Sequence, residues 1–121
     1  MERNNIFINL SNHPSNKWSI NQINESLKYG NIIDMSFPSI DPINDNINEL
    51  VDKYYKEIIN INPSAIMLQG EMVFTYRLVS KLKEANFLVL ASCSIRETKE
   101  IVKDNETIKT AVFNFVKYRE Y

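Results

Sequence analysis

Short apolar runs alternate along the chain with segments whose apolar residues recur at helical spacing. The runs lie at 6–11, 31–38, 64–71 and 87–92, and the first of them is almost continuously apolar, as in a strand that is covered on both faces. Strands that alternate with helices form a largely parallel sheet with helices on both faces. The order of the elements therefore predicts a Rossmann-like α/β fold with strand order 2-1-3-4.

Signals at helix ends place the helices between these strands. Ser19 followed by Gln22 is a capping box, and Gly30 suits a helix C-terminus, which together predict a helix over about 20–29. Asp41 as N-cap and Pro42 as the first helical residue predict a second, longer helix. A third helix is predicted over 72–85. The expected apolar faces are Ile20, Ile23 and Leu27 in the first helix, Ile43, Ile47, Leu50, Val51, Tyr54 and Ile58 in the second, and Met72, Tyr76, Val79 and Leu82 in the third.

The pattern changes after the fourth strand. Two extended segments, about 94–102 and 108–118, flank the polar sequence KDNET, and apolar residues alternate at Ala111, Phe113 and Phe115. This pattern predicts a C-terminal β-hairpin. Its apolar side chains exceed what a solvent-exposed edge should carry, which is a local hint of contact with a second copy.

Length and composition limit the class of protein. A chain of 121 residues with 44% hydrophobic content fits one domain. No run approaches the roughly 18 apolar residues of a membrane span, and the polar start MERNN is unlike a signal peptide, so we expect a cytoplasmic protein without membrane contact.

Several common sites are excluded by residue counts. A single cysteine, Cys93, and a single histidine, His13, cannot form a disulfide or a conventional structural zinc site. Gly30 and Gly70 are the only glycines, so the chain lacks both the G-x-G-x-x-G fingerprint and a P-loop. We expect no metal and no cofactor.

The charge is distributed unevenly. Residues 77–121 contain 9 Lys and Arg against 6 Asp and Glu, although the whole chain has a net charge of −1. This excess is too small for a duplex-DNA binder but would suit a small anionic ligand.

In the predicted fold, the loops that follow strands one and three face each other across a crevice at the carboxyl ends of the strands. The first loop offers the hydroxyl, amide and imidazole groups of Ser11, Asn12 and His13 near a helix N-terminus, where an anion is favoured. Lys17 could contact a phosphate. Trp18 could stack on a nucleobase or pack its helix onto the sheet.

Two further segments reach the same edge of the sheet. Gly70 would let a ligand approach the backbone, and Glu71 could act as a base or merely complement the dipole of the third helix. Ser92, Ser94 and Arg96 follow the fourth strand. Arginine suits phosphate oxygens, although Arg96 could also be an ordinary charge on the hairpin surface.

Four stretches resemble small CRISPR-associated Rossmann-like proteins of type III systems, which are related to CARF domains. These stretches are N-L-S-N-H-P from Asn9 to Pro14, GE at 70–71, SCSIR at 92–96 and FNFVKYREY at 113–121. The resemblance implies a homodimer with a two-fold symmetric pocket for cyclic oligoadenylate, a signal that such ring nucleases bind or degrade. It also implies cleavage without metal, in which the ribose 2′-hydroxyl attacks the adjacent phosphorus and leaves a 2′,3′-cyclic phosphate.

The resemblance, together with position, assigns roles to residues. Ser11, Asn12, Lys17 and Arg96 would bind and orient phosphates, and His13 or Glu71 would transfer protons. The candidate catalytic residues are thus His13, Glu71 and Ser11. The candidate ligand-binding residues are Asn9, Asn12, Lys17, Trp18, Gly70, Thr75, Ser92, Ser94 and Arg96.

Other functions are compatible with the same residues. The protein could bind cyclic oligoadenylate without cleaving it, as a sensor or sponge. It could be a nucleotide-metabolising enzyme, such as a transferase with Glu71 as nucleophile. It could also be an interaction domain whose hairpin pairs with a partner.

Overall fold

A computed structural model describes residues 2–121, in which five strands form one sheet and three helices pack on it. The strands are β1 (Asn4–Ser11), β2 (Asn31–Ser36), β3 (Pro63–Leu68), β4 (Val89–Lys103) and β5 (Glu106–Glu120). The helices are α1 (Ile20–Leu27), α2 (Ile47–Ile61) and α3 (Met72–Glu84), and a short 3₁₀ turn spans Ser15–Lys17. Within this described range, no helix is both long enough and apolar enough to cross a membrane.

The sheet has the order β2-β1-β3-β4-β5. β1 pairs in parallel with β2 and β3, β3 pairs in parallel with β4, and only β5 is antiparallel to its neighbour. The predicted Rossmann-like α/β fold, its 2-1-3-4 strand order and its C-terminal hairpin are therefore confirmed.

The two faces of the sheet are covered differently. The α2 and α3 side contains the larger core, where Ile8, Ile66 and Leu68 meet Ile58 and Leu78. On the other side, the short helix α1 covers a smaller cluster in which aromatic rings surround a central phenylalanine. This cluster contains Phe7, Trp18, Tyr29, Phe115 and Tyr118.

Helix α2 begins later than the sequence predicts. Asp41 does not cap a helix: its carbonyl accepts a hydrogen bond from Asn44 N and its carboxylate accepts one from Ile43 N, so residues 41–44 form a turn. Aspartate followed by proline is as favourable in a turn as at a helix start. The helix begins at Ile47, and Ile43, expected on its apolar face, lies outside it and is exposed.

The buried faces of the other two helices are rotated from those expected. In α3, Val79 and Leu82 are buried as predicted, but Met72 and Tyr76 are exposed. Phe74, Thr75 and Leu78 are buried with the first pair instead. In α1, Ile20 and Leu27 are exposed, while the buried residue is Ser26.

The hairpin extends well beyond the body of the domain. β4 is one continuous strand from 89 to 103, but only Val89 and Leu90 pair with β3. Residues 95–114, called the ribbon below, pair only with each other among the described strands and are exposed throughout. Asp104 and Asn105 have φ of 52° and 64° and form the two-residue turn, a conformation typical of tight hairpins.

Candidate functional site

The loops after β1 and β3 meet over a cleft of about 520 Å³ on the α1 side of the sheet, at the carboxyl ends of the strands. Both loops are placed there because β1 and β3 are parallel neighbours. Eight of the candidate residues line this cleft: Ser11, Asn12, His13, Lys17, Trp18, Gly70, Ser92 and Ser94. The structure thus brings together most of the candidates from three separate segments.

Asn9 does not line the cleft, because it is buried beneath the first loop with 1% of its surface exposed. Its amide nitrogen donates to His13 O at 2.8 Å and to Asp34 Oδ1 at 2.9 Å. Its side-chain oxygen accepts from Ser11 Oγ at 2.7 Å. Asn9 therefore positions the loop that carries His13, and it is not available to contact a ligand.

Asp34 is a second residue that positions this loop, although no motif in the sequence points to it. It pairs directly with Asn9 across the parallel strands β1 and β2. Besides the bond from Asn9, its carboxylate accepts hydrogen bonds from Ser15 N and from Ser15 Oγ. The carboxylate thereby fixes the start of the 3₁₀ turn that precedes Lys17 and Trp18.

Ser11 and His13 differ in whether their side chains are already held by hydrogen bonds within the loop. The Ser11 hydroxyl donates to Asn9 and accepts from His13 N at 3.2 Å, so its proton is already used within the loop. The His13 side chain is exposed and lines the cleft. Of the candidate catalytic residues, His13 is the one whose side chain can reach a ligand without breaking a contact of the loop.

The cleft is favourable for an anion. Its lining includes the cation Lys17 and the imidazole of His13, but neither aspartate nor glutamate. Within residues 2–121, the ion pairs are those of Lys28, Lys81 and Lys109, so Lys17 makes none. An ammonium group without a carboxylate partner stays available to a ligand phosphate.

Gln69 links the second loop to β4, although the sequence analysis missed it. Its side-chain oxygen accepts from Ser92 N at 2.8 Å and from Ser92 Oγ at 2.6 Å. In the described part of the chain its amide nitrogen donates to no protein acceptor, and Gln69 lines the cleft. Gln69 thus joins the second loop to β4 and adds a polar group to the lining of the cleft.

Gly70 lines the cleft, but a neighbouring side chain already explains why it is a glycine. A Cβ atom at this position would collide with the ring of Phe37, which packs edge-on against the ring of Phe74. Close approach of Phe37, and not of a ligand, therefore excludes larger residues here.

Glu71 is the N-cap of α3. Its Oε1 accepts a hydrogen bond from Phe74 N at 2.8 Å, and the residue does not line the cleft. The sequence left open whether Glu71 acts as a base or complements the dipole of α3, and its position as the N-cap agrees with the second alternative. A role as base or nucleophile would require the carboxylate to leave this cap.

Aromatic side chains form one wall of the cleft. Trp18 packs edge-on against Phe7, with ring centroids 6.4 Å apart, and still lines the cleft. The position of Trp18 is therefore compatible with both roles considered for it, stacking on a nucleobase and packing its helix onto the sheet. Phe113 and Phe115 of β5 line the cleft as well, although the sequence pattern did not select them as ligand-binding residues.

Thr75 and Arg96 lie beside the cleft. Thr75 lines a second, more apolar cavity of about 360 Å³, which shares Gln69 and Gly70 with the cleft. Its buried hydroxyl has no hydrogen-bond partner among the described residues. Arg96 is exposed on the ribbon, directly opposite Phe113 and two residue pairs beyond Ser94. It stands at the rim of the cleft and does not line it.

The described residues contain no group of three His, Cys, Asp or Glu side chains placed to hold a metal ion. The polar groups that face the cleft are instead hydroxyls, amides, one imidazole and one ammonium. Such groups can bind phosphate and ribose oxygens, and the aromatic wall can stack on a base.

Comparison with protein families matches residues 5–119, all but the first four and last two, to the family described as "Uncharacterized protein MJ1673 family". The search of curated proteins gives no match.

Proposed function

The chain belongs to the MJ1673 family, and we propose that it is a ring nuclease, which binds cyclic oligoadenylate in the cleft and cleaves it. The resemblance of the Asn9–Pro14 stretch and three other segments to type III CRISPR-associated proteins suggests this ligand. The biological role would be to end the cyclic oligoadenylate signal. As in those proteins, we propose that the functional unit is a homodimer.

The composition of the cleft carries the proposal. Lys17 offers a positive charge, His13 offers an imidazole, Asn12, Gln69 and Ser94 offer neutral hydrogen-bonding groups, and no carboxylate lines the cleft. Trp18, Phe113 and Phe115 add surfaces on which an adenine can stack. Phosphate, ribose and base thus each find a matching group within one cleft of about 520 Å³.

The proposed cleavage step needs a side chain that accepts a proton, and we assign this role to His13. The imidazole of His13 takes the proton from the ribose 2′-hydroxyl, whose oxygen then attacks the adjacent phosphorus. The bond from phosphorus to the 5′-oxygen breaks, the 5′-oxygen takes up a proton from water, to which the His13 imidazolium returns its own, and a 2′,3′-cyclic phosphate remains. Lys17 lies on the same loop and would stabilise the charge that develops on the phosphoryl oxygens. The loop is held in place by Asn9 and Asp34, so positioning supports the step.

The test is incubation of the purified protein with cyclic tetra-adenylate and cyclic hexa-adenylate in EDTA, followed by chromatography of the products. Linear products that end in a 2′,3′-cyclic phosphate are expected. The His13→Ala variant should lose turnover and retain affinity, and Lys17→Ala should lose affinity. Lys56→Ala, which changes an exposed lysine of α2 that does not line the cleft, is the matched control. Intact rings at stoichiometric enzyme would contradict the proposed cleavage.

A second candidate function is binding without cleavage, as a sensor or sponge. One observation favours it: the Ser11 proton is used within the loop and Glu71 caps α3, so His13 alone among the three candidates is free to act. Calorimetry that shows tight binding, with an intact ring recovered afterwards, would select this function over the nuclease.

A further inference from the structure

A second cavity lies on the other side of the sheet from the cleft. It has a volume of about 360 Å³, and we call it the α3 cavity because most of its lining belongs to that helix. Its own lining residues are Met72, Thr75, Tyr76, Val79 and Tyr121. Val79 belongs to the core on the α2 and α3 side, whereas Met67, which lines the cleft, belongs to the cluster under α1. Gln69 and Gly70 line both, so residues 69–70 are the edge that the cleft and the α3 cavity share.

The lining of the α3 cavity differs chemically from that of the cleft. Tyr76 and Tyr121 contribute aromatic rings, Met72 and Val79 contribute apolar side chains, and among the described residues no charged side chain lines the cavity. Without a cation such a cavity does not attract a phosphate, whereas an aromatic and apolar lining favours a flat ring system. The volume is near the lower end of the range of about 300–1,000 Å³ for ligand pockets. The α3 cavity therefore suits one ring system of a larger ligand.

Hydrogen bonds hold the Tyr121 wall of the α3 cavity in place. The Tyr121 hydroxyl donates to Leu68 O at 2.7 Å, at the end of β3. Its backbone nitrogen donates to Val89 O at 3.0 Å, and its backbone oxygen accepts from Lys83 Nζ. The ring is thus fixed at both ends. A wall that is formed in advance reduces the entropy cost of binding a ligand.

Thr75 supplies a polar group that lacks a partner. The residue is 8% exposed, and its hydroxyl makes no hydrogen bond to any described residue. Hydroxyls on helices commonly donate to the carbonyl four residues earlier, as Ser80 does to Tyr76 O at 2.9 Å, but Thr75 does not. A buried hydroxyl without a partner is unfavourable, and a ligand with a nitrogen or oxygen atom at its edge would supply one. An aliphatic chain would not, so the missing partner favours a heterocycle.

We propose that the α3 cavity is a subsite for a purine base. This inference rests on the proposed function and deepens it, since it divides one ligand between the two sides of the sheet. The phosphates lie in the cleft beside Lys17, and one adenine of the ring passes over residues 69–70 into the α3 cavity. There the base contacts the aromatic lining, and its polar edge pairs with the Thr75 hydroxyl.

Three methionines report separately on the cleft and the α3 cavity. Met72 lines the α3 cavity, Met67 lines the cleft, and Met35 lines neither. Protein labelled with ¹³C in its methionine methyl groups is titrated with adenosine, which has the base without a phosphate, and with ribose 5-phosphate, which has a phosphate without the base. Adenosine should shift the Met72 resonance and leave Met35 unchanged, and ribose 5-phosphate should leave Met72 unchanged. An unmoved Met72 in adenosine, or an equal shift in ribose 5-phosphate, would overturn the proposal.

The Thr75→Val variant tests the hydroxyl with little change in shape. It should bind adenosine about 2- to 10-fold more weakly than the wild type, the loss expected for one hydrogen bond. Its Tm should not fall, because the hydroxyl has no partner to lose within the described chain. Thr107→Val makes the same change at an exposed residue of β5 that lines neither the cleft nor the α3 cavity, and it should bind like the wild type. Unchanged affinity in Thr75→Val, or a lower Tm, would show that the hydroxyl does not serve a ligand.

The outcome is separate from that of the cleavage assay, because neither probe contains the internucleotide linkage that a ring nuclease cleaves. If cyclic oligoadenylate stays intact while adenosine shifts Met72, the nuclease is refuted and the base subsite is supported. If the ring is cleaved while adenosine leaves Met72 unmoved, the base subsite alone is refuted.

Discussion

Replacing Asn9 tests whether the first loop of the cleft is held by the buried hydrogen bonds beneath it. The Asn9→Ala variant removes two bonds that the amide donates, to His13 O and Asp34 Oδ1, and one that it accepts from Ser11. A neutral hydrogen bond contributes about 0.5–1.5 kcal/mol and one to a charged group about 1.5–3 kcal/mol, so the three together contribute about 2.5–6 kcal/mol.

The expected loss lies at the lower end of that range. His13 and Asp34 are exposed, so water can replace the lost amide at both acceptors, and Asp34 keeps its bonds from Ser15. We therefore expect the free energy of unfolding to fall by about 2.5–3 kcal/mol, which for a domain of this size lowers Tm by about 10 °C. Urea unfolding followed by circular dichroism measures the first quantity, and a thermal melt measures the second.

The matched control is Asn4→Ala. Asn4 lies on the same strand, is exposed, and its amide donates a single side-chain bond, to Ile61 O at 2.7 Å. This variant should lose about 1 kcal/mol or less. If Asn9→Ala costs no more than the control, the bonds beneath the loop do not hold it, and the argument that Asn9 is a positioning residue is wrong.

Three further outcomes follow from the packing and from the charge of the cleft. Gly70→Ala should cost about 1–3 kcal/mol in urea unfolding because its Cβ would meet the Phe37 ring, and adding Phe37→Leu should recover part of the loss. Burial raises the pKa of the Tyr118 hydroxyl above 10.0, against hydrogen bonds with Ser26 and Gln22 that lower it. Since the raised pKa favours the neutral form in the folded state, stability is retained below pH 10 and falls above it, and Tyr118→Phe should make that alkaline loss smaller in a pH series of melts. Raising the salt concentration should weaken ligand binding less in Lys17→Ala than in the wild type, as fluorescence titration would show.

The sequence predicted those parts of the site whose position depends on strand order alone. Parallel neighbours release their chains at the same edge, so the loops after β1 and β3 had to converge once the order 2-1-3-4 was inferred. This inference needs only the periodicity of the apolar residues. It explains why Ser11, His13 and Gly70 were found before any side-chain contact was known.

The errors arose where one local signal is compatible with two structures. Aspartate before proline suits both a helix start and a turn, and Asp41 makes the turn. For Glu71, by contrast, the sequence left the roles of base and helix cap both open, and the structure shows the cap. Nothing near Asp34 in the sequence distinguishes it from any polar residue of an edge strand, because its role comes from register with Asn9.

The cleft at the carboxyl ends of β1 and β3 is proposed to take an anionic nucleotide ligand. Titration of ¹⁵N-labelled protein with cyclic tetra-adenylate, followed through the amide resonances, tests this proposal residue by residue. We expect the largest shifts at Asn12, Lys17, Gln69 and Ser92, with little change in α2. Unchanged spectra at saturating ligand, or shifts confined to α2 and the hairpin turn, would contradict it.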